Sequence, residues 1–282
     1  MNFAIIIPAH NESDYIGQTL ESLVNQSHQP HQIIVVNDNS TDNTATIVKS
    51  YSDKYQWIKL LNKVSSDIHM PGSKIIQAFN YGLDKVKPDF DLLCKFDADL
   101  IFPSNYLELI STHFRSNPKL GMAAGFCYIE KDGRWVLENL TRKDHIRGAL
   151  KCYRKSCFQD IGGLKAAMGW DTLDELLASY FNWQILTDET LEVKHLKQTG
   201  ESYNVKAKLL QGEAMYRMRY GFMITAISGL KLALKKKKLR LFLDYMKGYS
   251  KAKSSNKDFL VDEDQGRFIR NKRWKGIKKK FF

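Results

Sequence analysis

Short apolar runs alternate with amphipathic stretches along the first 115 residues of the chain. Phe3–Pro8 is β-branched and ends in proline, the pattern of a buried strand. Ser13–Asn25 places Ile16, Leu20, Leu23 and Val24 at helical spacing. Gln32–Asn37 is a second buried strand, and the next helix runs to about Tyr51 with Thr41 or Asp42 as its cap. Trp57–Leu61 reads as a third strand, Lys74–Val86 as a helix, Asp91–Phe96 as a fourth strand and Ser104–Arg115 as a helix capped by Ser104. Such alternation predicts βαβ units and a mainly parallel sheet flanked by helices, in an α/β fold.

After residue 120 the pattern loosens. Met122–Ile129 and Trp135–Leu137 fit a hairpin around Lys131-Asp132-Gly133. Leu173–Phe181 fits a short helix and Leu191–Lys194 a late strand. Phe222–Leu234 is apolar with few breaks and runs into Lys235-Lys236-Lys237-Lys238.

Charge changes the picture only at the end. The net charge of the 282 residues is +12, but residues 231–282 alone carry +13 and the preceding body −1. Only this tail is expected to seek an anionic surface. Its basic blocks are interleaved with Phe, Leu and Trp through to Lys278-Lys279-Lys280-Phe281-Phe282, and two readings fit them. One is an interfacial anchor on an anionic membrane; the other is a solvated basic helix packed on the domain. No nucleic-acid module accompanies the charge, which speaks against a nucleic-acid partner. No run reaches the roughly 18–20 apolar residues of a membrane span. The N-terminus lacks a basic n-region before its apolar run, so the expected location is the cytoplasmic face. Four cysteines without CxxC spacing read as reduced buried thiols.

The polar clusters sit at predicted strand ends, where ligands bind on parallel sheets. After Leu92-Leu93-Cys94 comes Lys95-Phe96-Asp97-Ala98-Asp99. Two carboxylates one residue apart repel unless a cation joins them, and Mn²⁺ or Mg²⁺ shared with a diphosphate suits such a site. Asp38, in Val36-Asn37-Asp38-Asn39-Ser40-Thr41-Asp42, can accept a hydrogen bond from a uracil imide or the matching edge of another base. Thr41 and Asp42 read instead as turn and cap residues.

Taken in order, Ile7-Pro8-Ala9-His10-Asn11-Glu12, Val36–Thr44 and Phe96-Asp97-Ala98-Asp99 resemble the successive signatures of family 2 glycosyltransferases with the GT-A fold. The resemblance implies a metal-dependent inverting transfer from a nucleoside-diphosphate sugar, most simply a UDP-sugar. The acceptor it implies is a saccharide or lipid-linked sugar of cell-surface glycan synthesis. It implies that Ala9 and Glu12 line the nucleoside pocket, Asp38 reads the base and Asp99 binds metal, with Asp97 on the ribose or the metal. It assigns the catalytic base to Asp171, in Gly169-Trp170-Asp171-Thr172-Leu173-Asp174-Glu175. Trp170 either stacks on an acceptor sugar or is a core aromatic, and Asp174 and Glu175 either hold the acceptor or cap the helix. His195 matches a late histidine used as a metal or diphosphate ligand, and Thr199–Ser202 would form a loop over the donor.

At the place where the family commonly has Arg-Asn-x-Gly, the chain reads Phe79-Asn80-Tyr81-Gly82, leaving Lys74 to supply the charge. No Gln-x-x-Arg-Trp is present, which points to single additions rather than polymerisation. The implied division is a transferase domain over 1–220, with a nucleotide-sugar half over 1–115 and an acceptor half over 116–220, followed by the basic segment 221–282. Against this stand a sugar nucleotidyltransferase, a Rossmann dehydrogenase and a non-catalytic membrane-associated nucleotide-binding module. The first two need glycine-rich phosphate loops that Pro8–Glu12 does not provide.

Overall fold

A computed structural model describes residues 1–65, 72–138, 143–197 and 205–281. The chain forms two compact units, one of residues 1–166 and 181–199, the other of residues 167–180 and 200–282.

Among the described residues the first unit is built on a curled, mixed sheet of nine strands, in the order β3 (Ile58–Lys63), β2 (Gln32–Asp38), β1 (Phe3–Ala9), β4 (Leu92–Phe96), β8 (Leu150–Arg154), β6 (Leu120–Lys131), β9 (Gln184–His195) and β5 (Leu100–Ile101), with β7 (Arg134–Leu137) beside β6. Strands β1 (Phe3–Ala9), β2 (Gln32–Asp38), β3 (Ile58–Lys63) and β4 (Leu92–Phe96) are parallel neighbours. Helices α1 (Ile16–Val24), α2 (Thr44–Lys54) and α3 (Ser73–Leu83) connect them. Every residue of β1, β2 and β4 is buried, which explains continuous apolar runs in place of alternation. Each fully buried isoleucine in β1 contributes about 1.5–3 kcal/mol of transfer free energy.

The sheet then turns antiparallel. After β5 (Leu100–Ile101) and α4 (Tyr106–Ser116), β6 (Leu120–Lys131) pairs with β7 (Arg134–Leu137) in the expected hairpin. Asp132 and Gly133 both take positive φ, 50° and 72°, as a tight hairpin turn requires. Strand β8 (Leu150–Arg154) inserts antiparallel between β4 and β6. It leads into α5 (Lys155–Asp160), and β9 (Gln184–His195) runs beside β6.

Three expectations are corrected. Asn105, not Ser104, precedes α4; the Ser104 carbonyl instead accepts the Ser27 N–H at 2.7 Å. Asn43 is the residue before α2, and Asp42 acts one residue earlier in the turn. The late strand begins at Gln184 rather than Leu191, because its first half is polar and half-exposed. Strand β8, with helices α5 and α7 (Val205–Arg217), had no counterpart in the sequence reading. The four cysteines are buried free thiols, as expected.

The second unit gathers α6 (Trp170–Tyr180) with α7, α8 (Phe222–Lys235), α9 (Arg240–Ser254) and α10 (Glu263–Phe281). Tyr180 meets Phe268 edge-on at 5.5 Å, tying α6 to α10. Helices α7 and α9 cross so closely that each presents a glycine to the other's backbone. A Cβ on Gly212 would lie 2.0 Å from the Tyr245 carbonyl oxygen, and one on Gly248 2.0 Å from that of Leu209. No rotamer relieves a clash with a carbonyl. Gly248→Ala is therefore expected to destabilise the chain by about 3 kcal/mol, the upper end of overpacking costs. Gly276→Ala on α10, where an added Cβ meets nothing within 4 Å, is expected to be neutral or to stabilise by up to about 1 kcal/mol. Urea unfolding of both variants checks this, and equal midpoints would refute it.

Among the described residues no helix is long and apolar enough to cross a membrane.

Candidate active site

The polar clusters meet at the carboxyl ends of β1, β2 and β4. The loops after β1 and β2 are stitched to each other. The Asp38 carbonyl meets His10 Nδ1 at 2.6 Å, and Asn11 N–H donates to Ser40 Oγ at 2.9 Å. Thr41 N–H donates to Asn11 Oδ1 at 2.8 Å, and Glu12 N–H to Thr44 Oγ1 at 2.8 Å. Asp42 joins both loops, accepting from Ser13 N–H at 3.0 Å and Thr44 N–H at 3.0 Å. Burial works against its charged form, but these donors and the Thr44 hydroxyl hold its carboxyl well below the usual range. The turn reading of Thr41 and Asp42 thus has its bonds.

Glu12 and Asp38 stand beside these bonds, at the ends of β1 and β2. Asp38 is buried, with Lys63 Nζ 3.3 Å from Oδ1. Glu12 Oε1 lies 3.2 Å from Lys197 Nζ, while Oε2 is buried without a hydrogen-bond partner. Burial pushes the Glu12 carboxyl up to about 6; Lys197 opposes this, and Asp99 and Asp97 reinforce it. Ala9, the last residue of β1, is 3% exposed and pairs with Asn37.

The turn Asp97–Asp99 is held by its backbone. Asp97 N–H donates to Ala149 O at 2.8 Å, and Thr19 Oγ1 on α1 donates to Ala98 O at 2.7 Å and accepts from Leu100 N–H at 3.0 Å. These bonds hold the turn through its main chain and leave Asp99 Oδ1 without a hydrogen-bond partner. Asp97 is paired with Lys95, a lysine only 1% exposed that also donates to Gly148 O at 3.0 Å.

His195 reaches Asp99 because β5 and β9 pair there, Leu100 opposite His195, with Leu196 N–H bound to Asp99 O at 2.9 Å. Its Nε2 lies 3.4 Å from Asp99 Oδ2 and its Nδ1 2.9 Å from Glu138 Oε2. Glu138 follows the β6–β7 hairpin, is 5% exposed and also pairs with Arg147. Burial disfavours a charged imidazole, yet the bonds to Asp99 and Glu138 raise the His195 pKa to about 9. Burial would likewise raise Glu138, but His195 and Arg147 lower it to about 2.

The residues fit a divalent cation at Asp99. Its Oδ1 is buried with no hydrogen-bond partner, beside an imidazole and a second carboxylate-bearing turn residue. Carboxylate oxygens with one imidazole suit Mn²⁺ or Mg²⁺, and a cation bound there would displace the proton that His195 shares with Asp99. A second group, Cys127, Glu138 and His195, brings its ligand atoms within 4.8 Å of one another. It suits a cation poorly: Arg147 already neutralises Glu138, and burial pushes the Cys127 thiol up to about 12. We read Glu138 and Arg147 as orienting His195, as carboxylates behind histidine ligands do.

Of the sequence-derived site residues, the structure brings Ala9, Glu12, Asp38, Asp97, Asp99 and His195 together in the first unit. Lys74, second residue of α3, is half-buried and makes no ion pair with a described residue. Trp170, Asp171, Asp174 and Glu175 form the first turns of α6 in the second unit. There Trp170 and Asp174 are buried, and Asp171 and Glu175 are half-buried. The loop Thr199–Ser202 lies outside the described residues. Sequence reasoning missed Lys95, Lys197, Lys63, Glu138 and Arg147. Lys95 had a signal: it is a charged residue inside the apolar run of β4, two positions before Asp97.

A family model described as "Glycosyl transferase family 2" matches residues 4–163, more than half of the chain. A probable glycosyltransferase of Bacillus subtilis, YdaM, is 40% identical over 199 residues, covering 62% of this chain and 44% of its own length. The poly-β-1,6-N-acetyl-D-glucosamine synthase of Staphylococcus epidermidis is 27% identical over 187 residues, covering 60% of this chain and 42% of its own. The chain thus spans less than half the length of these relatives. Among solved structures, Staphylococcus aureus TarS in complex with UDP-GlcNAc superposes with TM-score 0.58 at 21% identity, over 78% of this chain and 65% of TarS. The mannosyltransferase PcManGT of Pyrobaculum calidifontis, with GDP-Man and Mn²⁺, gives 0.56 at 13% identity, over 76% of this chain and 62% of its own. These likenesses place the fold in the GT-A type.

Proposed function

This chain belongs to glycosyl transferase family 2, and we propose from that premise that it carries out a metal-dependent, inverting sugar transfer. The donor is a nucleoside-diphosphate sugar, most simply a UDP-sugar. The acceptor is a saccharide or lipid-linked sugar of cell-surface glycan synthesis. The observation that carries the reading is the buried, unpartnered Oδ1 of Asp99, beside His195 and within electrostatic reach of Glu12.

In this reading Asp38 accepts the base's imide N–H, and Glu12 and Ala9 close the nucleoside pocket. Asp99 and His195 hold the cation, with Asp97 contributing to it or to the ribose, and Lys95 fixing the Asp97 carboxylate. When bound, Mn²⁺ or Mg²⁺ offsets the charge that develops on the departing diphosphate. Lys74 and Lys197 are the cations that can reach a diphosphate in place of the family's arginine. Asp171 takes the proton from the acceptor hydroxyl, so that sugar transfer inverts in a single displacement. GDP-Man bound to PcManGT and UDP-GlcNAc bound to TarS support a diphosphate donor in this fold.

Calorimetric titration of the chain with UDP, GDP, CMP and ADP, each with and without Mn²⁺, tests the donor site. Binding of one diphosphate is expected to tighten at least about tenfold with the metal. Binding indifferent to metal would leave only a nucleotide-binding module and overturn the reading.

A further inference from the structure

The α8–α9 hairpin carries an apolar surface that nothing in its own unit covers. On α8, Met223, Leu230 and Leu234 are 61%, 44% and 61% exposed. At 100° per residue they fall, with half-buried Ile227, within an arc of about 60°. The buried side of the same helix, Ile224, Thr225, Gly229 and Ala233, lies on the other flank. Exposure continues through the turn, with Leu239 at 69% and Leu243 at 64%. The buried side of α9, with Leu241, Gly248, Tyr249 and Ala252, again faces elsewhere. Between the two stripes stand Lys235, Lys236, Lys237, Lys238 and Arg240, all exposed and in no ion pair with a described residue.

We propose that this face of the α8–α9 hairpin docks on an anionic lipid bilayer, its leucines entering the interface and Lys235–Lys238 meeting headgroup phosphates. Leucines alone would suit any apolar partner, and lysines alone any polyanion. Their combination on one hairpin end fits a surface with an acyl layer beneath a negative layer. A second copy fits less well, since a two-fold contact through this face would set lysine cluster against lysine cluster. Nucleic acid would leave the leucines in water. The inference rests on the second unit alone and stands whether or not the transfer reading holds.

Co-sedimentation of the full chain with vesicles decides it. The chain is expected to bind phosphatidylcholine vesicles containing roughly 30% phosphatidylglycerol, and pure phosphatidylcholine at least about tenfold more weakly. Binding should fall as salt rises. Leu234→Glu with Leu239→Glu is expected to weaken it about tenfold or more, with the Tm within about 2 °C because both sites are exposed. Lys236→Gln with Lys237→Gln should weaken it severalfold, and Lys278→Gln with Lys279→Gln on α10 within about twofold. No binding to anionic vesicles, or leucine variants that bind as the parent does, would overturn the proposal. So would self-association in sedimentation equilibrium that the leucine variants abolish, or DNA binding as tight as vesicle binding.

Discussion

Asp99→Asn is expected to lower sugar transfer by about two to three orders of magnitude while the fold survives. The carboxamide fills the same volume, so the packing around the turn is kept. Its chemistry is not. Asp99 has one oxygen 3.4 Å from His195 Nε2 and the other buried with no partner. An amide places an N–H₂ donor at one of these positions and removes the charge that draws a cation. The backbone bonds of the turn, to Thr19, Ala149 and Leu196, do not involve the side chain, so unfolding midpoints should stay close to the parent's. The measurements are kcat with a saturating diphosphate sugar and the Mn²⁺ concentration giving half activity. Turnover near that of the parent, at the same Mn²⁺ requirement, would remove Asp99 from the site.

Asp171→Asn is expected to act on a different quantity. A lost general base costs about 10²–10⁴ in rate. Donor binding should be untouched, since the proposed base acts on the acceptor hydroxyl and not on the nucleotide or the cation. Asp171 stands in the first turn of α6, where the helix's positive end favours an anion. That turn is set by Gly169, at φ 77°, whose carbonyl accepts the Thr172 and Leu173 N–H groups at 3.1 and 3.0 Å. Asparagine keeps the geometry and forfeits the basicity. A collapse of kcat with unchanged diphosphate and Mn²⁺ affinity supports the assignment; equal kcat refutes it. The two substitutions thus separate cation holding from proton transfer.

The parallel half of the sheet was readable because both signals there are local. Ile5-Ile6-Ile7 and Ile33-Ile34-Val35-Val36 are uninterrupted because both faces of β1 and β2 are covered, and each run stops at a polar loop. Strand β8 was hidden by Lys151, fully buried between Leu150 and Cys152, which breaks an otherwise apolar run with a charge. The first half of β9 was hidden by its half-exposed polar residues. Glu138 could not be found from sequence. It meets His195 across 57 positions, and only the register of β6 with both β7 and β9 brings them together. His195 was legible by resemblance, but its contact with Asp99 depends on β5, a strand two residues long.

The stitched loops after β1 and β2 bear on what a ligand must give up to bind. Loop backbone that is loose in the free protein loses about 1–2 kcal/mol of conformational freedom per residue when a ligand orders it. Here Asn11, Glu12 and Ser13 are already tied to Ser40, Thr41, Thr44 and Asp42. That ordering is charged to folding, so a ligand bound at these loops is spared it. The same ties make the two loops one mechanical body. In the proposed donor site, a change at Asp42, which touches no expected ligand atom, would loosen Glu12 through Ser13 and Thr44 and weaken nucleotide binding.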